Sequence, residues 1–502
     1  IDSIMAARRN IAPHHYEGNI PVFQPTLAQF ESFNDFVQNI DKYGMESGVV
    51  KVIPPDEWKQ SLPPLDDRID SIHINRPIEQ HIHGTNGMYR QQNIEKSRNY
   101  TLEQWRRTCE TLDHQPPAKR GEKRKQIKHD AAEQFDYRFD DSVFTDEYCQ
   151  DLERTYWKSL TYNAPLYGAD MPGSLFDDSV KSWNVAHLDN ILDLMDEDLP
   201  GVNTAYLYCG MWKSTFAWHL EDMDLYSINY IHFGAPKQWY SIPQADHKKF
   251  YDLMKSIWPQ EYKHCREFLR HKTFLVSPSI IESHNIRVNK IVHRAGEFML
   301  TYPYGYHAGF NYGYNVAESV NFALESWLDI GLISQKCTCI SDSVGINVPR
   351  LQRRVNGIES EDEDENSHDD GASALLTPPD SEEGGNSVTT ARPKKKTKTA
   401  KPTKIPNPCA LCPSHIRLET LPVNSKVNVH RGCAQVVPEV TISKDAGSRE
   451  FVAGFQAIPK LRFSLKCLGC HEKQTGACLQ CNDERCNRAY HPTCAIEAGA
   501  RL

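Results

Sequence analysis

No stretch of this 502-residue chain is apolar over the roughly 18 residues that a membrane-spanning helix needs. No signal peptide is visible ahead of the first folded segment, although the chain starts at Ile1 rather than Met. No repeat of fixed period appears, which argues against a solenoid or propeller. A large charge of one sign is also missing. The net charge is −9 over the whole length, too small and too spread out for a surface devoted to nucleic acid. Evenly distributed cysteine is missing too: of 15, nine fall between Cys409 and Cys494. An odd number of Cys, paired as Cys-x-x-Cys with His-x-x-Cys close by and no secretory signal, reads as zinc rather than disulfides.

Hydrophobic residues make up 39% and charged residues 25%, a balance that allows a sizeable core and two to four domains. Residues 20–61 read as a small folded unit. Phe30, Phe33, Val37 and Ile40 recur at helical spacing, and Pro54 and Pro55 punctuate the chain after them. Residues 62–135 form a connecting segment with a basic stretch from Lys119 to Lys128, expected to be an exposed loop. Residues 136–345 carry short, regularly spaced strand-like runs, such as Ala205–Trp212, Asp224–Phe233 and Glu297–Tyr302, with flanking helical stretches such as Ala245–Ile257. That pattern predicts a mainly β domain, a barrel or sandwich with flanking helices.

The composition then breaks. Glu359 to Glu383 holds 11 acidic residues and no Lys or Arg, and Ala391 to Lys404 holds seven basic residues and no acid. Residues 346–405 are expected to be a disordered linker, because such a segment cannot bury enough apolar area to fold. Within it, Pro393 to Lys398 has the make-up of a nuclear localisation stretch, and Leu376 to Glu382 that of a phosphodegron; a solvated charge run accounts for the first equally well. The cysteine-rich module fills 406–502.

Four constellations carry chemistry. In the first, His219 and Glu221 are two apart, so a strand points both the same way, and His307 can join them from elsewhere. Two imidazoles and one carboxylate leave open positions on a metal, the facial triad of non-haem Fe(II) oxygenases. His-x-Glu alone is a weak signal. The flanks strengthen it: His219-Leu-Glu-Asp-Met-Asp-Leu-Tyr-Ser-Ile-Asn-Tyr230, then His232-Phe-Gly234 and Lys237, and much later Tyr302-Pro-Tyr-Gly-Tyr-His-Ala-Gly-Phe-Asn311. These runs resemble the JmjC family closely, in the subgroup that joins a JmjN segment to a JmjC domain and PHD-type fingers. The resemblance extends over JmjN at 20–61, JmjC at 136–345 and the finger module.

The resemblance implies a double-stranded β-helix (jelly-roll, cupin-like) core. It assigns His219, Glu221 and His307 to iron, and Tyr167, Asn229 and Lys237 to 2-oxoglutarate. It assigns Gly201, Tyr206, Tyr208, Glu221, Ser319 and Val320, with Asn321 beside them, to a methyl-lysine pocket. Val320 departs from the small polar residue some relatives carry, which leaves site preference open. A second constellation, Cys265, His271, Cys337 and Cys339, suits closed tetrahedral zinc. The finger module supplies Cys409, Cys412, His430 and Cys433 as one set. Cys467, Cys470, His491 and Cys494 form another, Cys481 and Cys486 an incomplete third, and Cys478 is a spare thiol. A cross-braced PHD finger needs one more Cys pair than appears before Leu502, so this module is expected to be truncated.

The implied activity is oxidative removal of methyl groups from tri- and dimethyl-lysine, at lysine 9 or lysine 36 of histone H3. The reaction uses Fe(II), 2-oxoglutarate and O2 and releases formaldehyde, succinate and CO2. The implied partners are the histone H3 tail and the nucleosome, with chromatin or DNA contact through the fingers and none with membrane. The implied location is the nucleus. Two other classes compete: a chromatin reader with an inactive JmjC domain, and a protein hydroxylase of the same fold that leaves a stable alcohol.

Overall fold

The computed structural model describes residues 11–357, except 120, 125–126, 128–134, 338 and 340–343. It also describes residues 409–497, except 413–419, 425–426, 445–448, 469, 471–475 and 481–487. The chain divides into two compact units between Asp370 and Gly371. None of the helices among the described residues is long and apolar enough to cross a membrane.

Among the described residues, the first unit is built on 17 strands. In chain order these begin with β1 (His15–Glu17), β2 (Ile20–Phe23), β3 (Val49–Val52), β4 (His73–Ile74), β5 (Ile78–Thr85), β6 (Met88–Glu95), β7 (Tyr100–Thr101) and β8 (Leu166–Pro172). After these come β9 (Tyr206–Gly210), β10 (Thr215–His219), β11 (Tyr226–Gly234), β12 (Lys237–Ser241), β13 (Phe274–Val276), β14 (Asn289–His293), β15 (Phe298–Thr301), β16 (His307–Asn311) and β17 (Asn315–Phe322). An eleven-stranded sheet runs β1-β2-β3-β15-β11-β17-β9-β8-β5-β6-β13, and a four-stranded sheet runs β10-β16-β12-β14. From β9 to β17 each strand lies in the opposite sheet from the one before it. That shuttling is the expected jelly-roll, and it turns one face of every core strand toward a shared interior.

The strands expected at Ala205–Trp212, Asp224–Phe233 and Glu297–Tyr302 are β9, β11 and β15, and the expected helix is His247–Ile257. The 20–61 segment is not a separate unit. β3 pairs with β15 of the core, and the helix Phe33–Ser47 buries Phe33, Phe36, Val37 and Ile40 in the same hydrophobic cluster as Tyr226, Leu300 and Phe322. Ser32 caps this helix, accepting from the Asp35 amide at 3.2 Å, and Gly48 ends it in the left-handed region at φ 84°. Gly44 is required by close approach: a Cβ there would lie 2.0 Å from the Tyr302 ring. The connecting segment contributes β4 to β7, and β5 joins the large sheet through β8.

The expectation that the linker starts at 346 is corrected. Val348–Val355 is a helix capped by Asn347, with Val348 and Leu351 in the main core. Arg350 and Arg354 both bond Asp196, at 2.6 and 2.5 Å. The ordered domain therefore reaches Gly357. Residues 358–405, with both short linker motifs, lie outside the described residues, as does part of the basic stretch after Lys119.

The second unit holds three two-stranded sheets, Thr420–Pro422 with Asn428–His430, Thr441–Lys444 with Glu450–Ala453, and Leu479–Gln480 with Ala489–Tyr490. Its small core includes Leu411, Val429, Val437 and Val452. Four-ligand clusters punctuate it, as a small domain with little apolar volume requires.

Candidate active site

A cavity of about 610 Å³ opens between the two sheets of the jelly-roll. His219 ends β10, His307 begins β16 directly opposite it, and Glu221 lies two residues after His219. The Nε2 atoms of His219 and His307 lie 3.9 and 3.3 Å from Glu221 Oε1. Each Nδ1 faces a backbone carbonyl, Ala217 O at 2.6 Å and Gly305 O at 3.0 Å. A carbonyl only accepts, so Nδ1 carries the proton and Nε2 turns its lone pair inward, as metal ligation needs. Burial, reinforced by His307 and Lys272, holds the His219 imidazole well below its usual range and therefore neutral. Burial alone would raise the Glu221 carboxyl. The His307 ring beside it and the charge of Lys272 outweigh that and hold it well below the usual carboxylate range. Two imidazoles and one carboxylate fit a divalent iron with positions left for other ligands.

Deeper in the cavity, Lys237 begins β12 and is buried. Burial brings its ammonium down to about 7, with only the Cys209 thiol opposing, and no carboxylate among the described residues supports its charge. Its Nζ lies 5.9 Å above the Tyr208 ring. Tyr167 from β8 and Asn229 from β11 line the same space, and Asn229 Oδ1 is buried without a partner. A buried cation lacking its anion, beside an amide with unspent polarity, fits a carboxylate-bearing cosubstrate.

Gly201, Tyr206, Tyr208, Ser319 and Asn321 also line the cavity. Gly201 sits at φ +76°, where a Cβ would meet the Tyr206 ring at 2.6 Å. Tyr208 donates to Asp170 Oδ1 at 3.0 Å, and Ser319 Oγ donates to Ile228 O at 2.8 Å. Val320 is corrected: it does not line this cavity but lies in the main core. Strand alternation gives the reason, since Ser319 and Asn321 face inward and the residue between them must face away.

Several lining residues escaped the sequence reading, among them Lys272, Asp170 and Ser227. Lys272 lies at φ +54° just after the zinc-type ligand His271. Burial would lower its ammonium, but Glu221, Asp222 and Asp170 outweigh that and raise it. Its adjacency to His271 was the available signal. Asp170, at φ +55°, is aimed by an irregularity in the β8–β9 pairing, which no local pattern announces. Ser227 was passed over within a matched run.

Cys265, His271, Cys337 and Cys339 converge beside this cavity, with all ligand atoms within 4.8 Å of one another. The Cys265 and Cys337 sulfurs are 3.6 Å apart. Tetrahedral zinc with bonds of about 2.3 Å would separate them by roughly 3.8 Å. In the second unit, Cys409, Cys412, His430 and Cys433 form one such cluster, and Cys467, Cys470, His491 and Cys494 another. All three fit zinc. Cys481 and Cys486 lie outside the described residues, and Cys478 is buried.

Comparison with known proteins agrees with this geometry. The sequence matches the jmjN domain over 21–54, the JmjC domain, hydroxylase, over 206–322, and a PHD-zinc-finger like domain over 407–502. It is 44% identical over 334 residues to lysine-specific demethylase 4B of Mus musculus, a match covering 66% of this chain and 28% of that protein. It is 40% identical over 333 residues to probable lysine-specific demethylase 4F of Homo sapiens, covering 65% and 48%. It is 40% identical over 342 residues to lysine-specific demethylase 4D of Rattus norvegicus, covering 67% and 61%. The match thus spans less than two thirds of each relative's length.

Proposed function

We propose that this chain, which carries JmjN, JmjC and PHD-like zinc-finger domains, is an Fe(II)- and 2-oxoglutarate-dependent demethylase of tri- and dimethyl-lysine in histone H3. The observation that carries the reading is the pairing, in one cavity, of an open-faced cluster of two histidines and one glutamate with a buried lysine that lacks an anion. The relatives are named lysine-specific demethylases, which favours this reaction over hydroxylation to a stable alcohol. That His219, Glu221, His307 and Lys237 line one cavity supports an active domain over an inert reader.

His219, Glu221 and His307 would hold the iron. Bound there with 2-oxoglutarate and O2, it supplies an oxidant strong enough to take hydrogen from an N-methyl group. The chain's residues do the rest. Lys237, with Tyr167 and Asn229, receives the cosubstrate's carboxylates and fixes its orientation. Tyr206 and Tyr208, with the oxygens of Ser319 and Asn321, surround a cationic methylammonium. Each methyl group is lost as formaldehyde while one 2-oxoglutarate and one O2 become succinate and CO2. No nitrogen lone pair is needed, so trimethyl-lysine is an allowed substrate. Lysine 9 and lysine 36 are the proposed positions, with a nuclear location, contact with the nucleosome, and chromatin or DNA contact through the zinc module.

The test is mass spectrometry of histone H3 peptides trimethylated at each position, incubated with purified protein, Fe(II) and 2-oxoglutarate. Stepwise methyl loss with formaldehyde is expected. A stable gain of one oxygen would make the protein a hydroxylase, and an unchanged peptide would leave it a reader.

A further inference from the structure

The side chain of Glu221 has no anchor in its own backbone. It precedes the short turn Asp222–Asp224 but makes no capping bond to it, and it lies beyond the end of β10. What holds its carboxylate comes from three neighbouring strands of the opposite sheet. Ser227 on β11 pairs with Thr301 on β15 on one side and with Asn321 on β17 on the other. Thr301, Ser227 and Asn321 thus form one row across the sheet, each buried. Asn321 Nδ2 donates to Glu221 Oε2 at 3.2 Å and to Tyr226 O at 3.0 Å. Ser227 Oγ donates to Glu221 Oε1 at 3.1 Å and lies 2.7 Å from Thr301 Oγ1.

The direction of this chain of hydrogen bonds is forced. An ionised carboxylate only accepts, so the single Ser227 proton goes to Glu221. Thr301 must then donate to Ser227, which polarises the Ser227 hydroxyl toward the carboxylate. Each Glu221 oxygen takes one donor from the sheet, and Oε1 is the oxygen that faces the two histidines. Resting on the metal reading of this site, we infer that Ser227, relayed by Thr301, is a positioning residue that holds the Glu221 carboxylate toward the two histidines, where it would ligate the metal. Thr301 touches neither ligand nor cavity and acts through Ser227 alone.

Titration of the full-length, zinc-loaded protein with Co(II), followed by the cobalt absorption spectrum, reads this without turnover. Ser227→Ala is expected to weaken Co(II) binding by roughly 10- to 100-fold, the range for loss of an outer partner of a metal ligand. Thr301→Val should weaken it less, Thr301→Ser should restore it, and the double variant should be no worse than Ser227→Ala. Zinc content and melting temperature report folding. If Ser227→Ala does not fold, Ser227→Cys, a similar shape with a weaker donor, is expected to fall in the same order. Wild-type affinity in a folded Ser227→Ala protein, or additive effects in the double variant, would overturn the relay. A wild-type protein with no Co(II) signal beyond that of His219→Ala would instead overturn the metal reading itself.

Discussion

Lys237 sits buried in an environment that its charge disfavours. A desolvated ammonium at about 7 is half-neutral near physiological pH until an anion reaches it. Lys237→Ala should raise the 2-oxoglutarate dissociation constant by the equivalent of about 2–5 kcal/mol, the usual loss for one partner of a buried charge pair. Peptide affinity should barely change. The pH dependence has a definite sign. Below about 7 the empty site is already charged; above it a proton must be taken up to bind the dianion. Cosubstrate affinity should therefore fall as pH rises through and beyond 7, by up to about tenfold per unit. Calorimetry at several pH values checks this, and a flat profile would contradict it. Gly201→Ala should act on the other substrate, raising the peptide KM with little effect on 2-oxoglutarate, because its Cβ would push the Tyr206 ring from the pocket. The metal-ligand residues were legible because they sit in long matched runs. Lys272 and Asp170 were not, since both owe their positions to left-handed backbone set by distant packing.

At the scale of elements, two fasteners hold the last part of the first unit. Cys337 belongs to the zinc-type cluster and also lines the cavity, so one residue joins the two. Cys337→Ser should release zinc and lower the melting temperature of the first unit while leaving the iron ligands intact. The second fastener is the helix Val348–Val355. Truncation after 347 should destabilise the unit, whereas truncation after 357 should not; Leu351→Ala alone should cost about 2–5 kcal/mol in denaturant unfolding. An unchanged midpoint would mean that the helix docks weakly. Sequence reasoning placed β9, β11 and β15 because period-two patterns are local. It missed this helix because its stripe of Val348, Leu351 and Val355 is short and its partner Asp196 lies far away in the sequence. The same local logic explains Val320: a resemblance names positions, but alternation decides which of them face the cavity.

For the whole molecule, every residue proposed for iron, cosubstrate and methyl-lysine lies in the first unit, and two zinc-type clusters lie in the second. Residues 1–357 alone should therefore demethylate a free peptide about as well as the full chain. The second unit should matter on nucleosomes, where linking two weak binding units raises effective concentration. Loss of peptide activity from a folded 1–357 protein would place part of the catalytic apparatus beyond Gly357. Cysteine spacing made the second unit's two clusters readable, because ligand pairs recur locally. What the unit binds was not readable, because recognition depends on a surface rather than on a spacing.

The most direct measurement is the stoichiometry of turnover on a trimethylated histone H3 peptide, with formaldehyde, succinate and peptide mass followed in the same reaction. One formaldehyde and one succinate are expected for each methyl group lost. Methyl loss and both products should disappear together when 2-oxoglutarate is omitted or His219 is replaced by Ala. Methyl loss that persists in either case, or succinate formed with no change in peptide mass at saturating peptide, would contradict the demethylase mechanism.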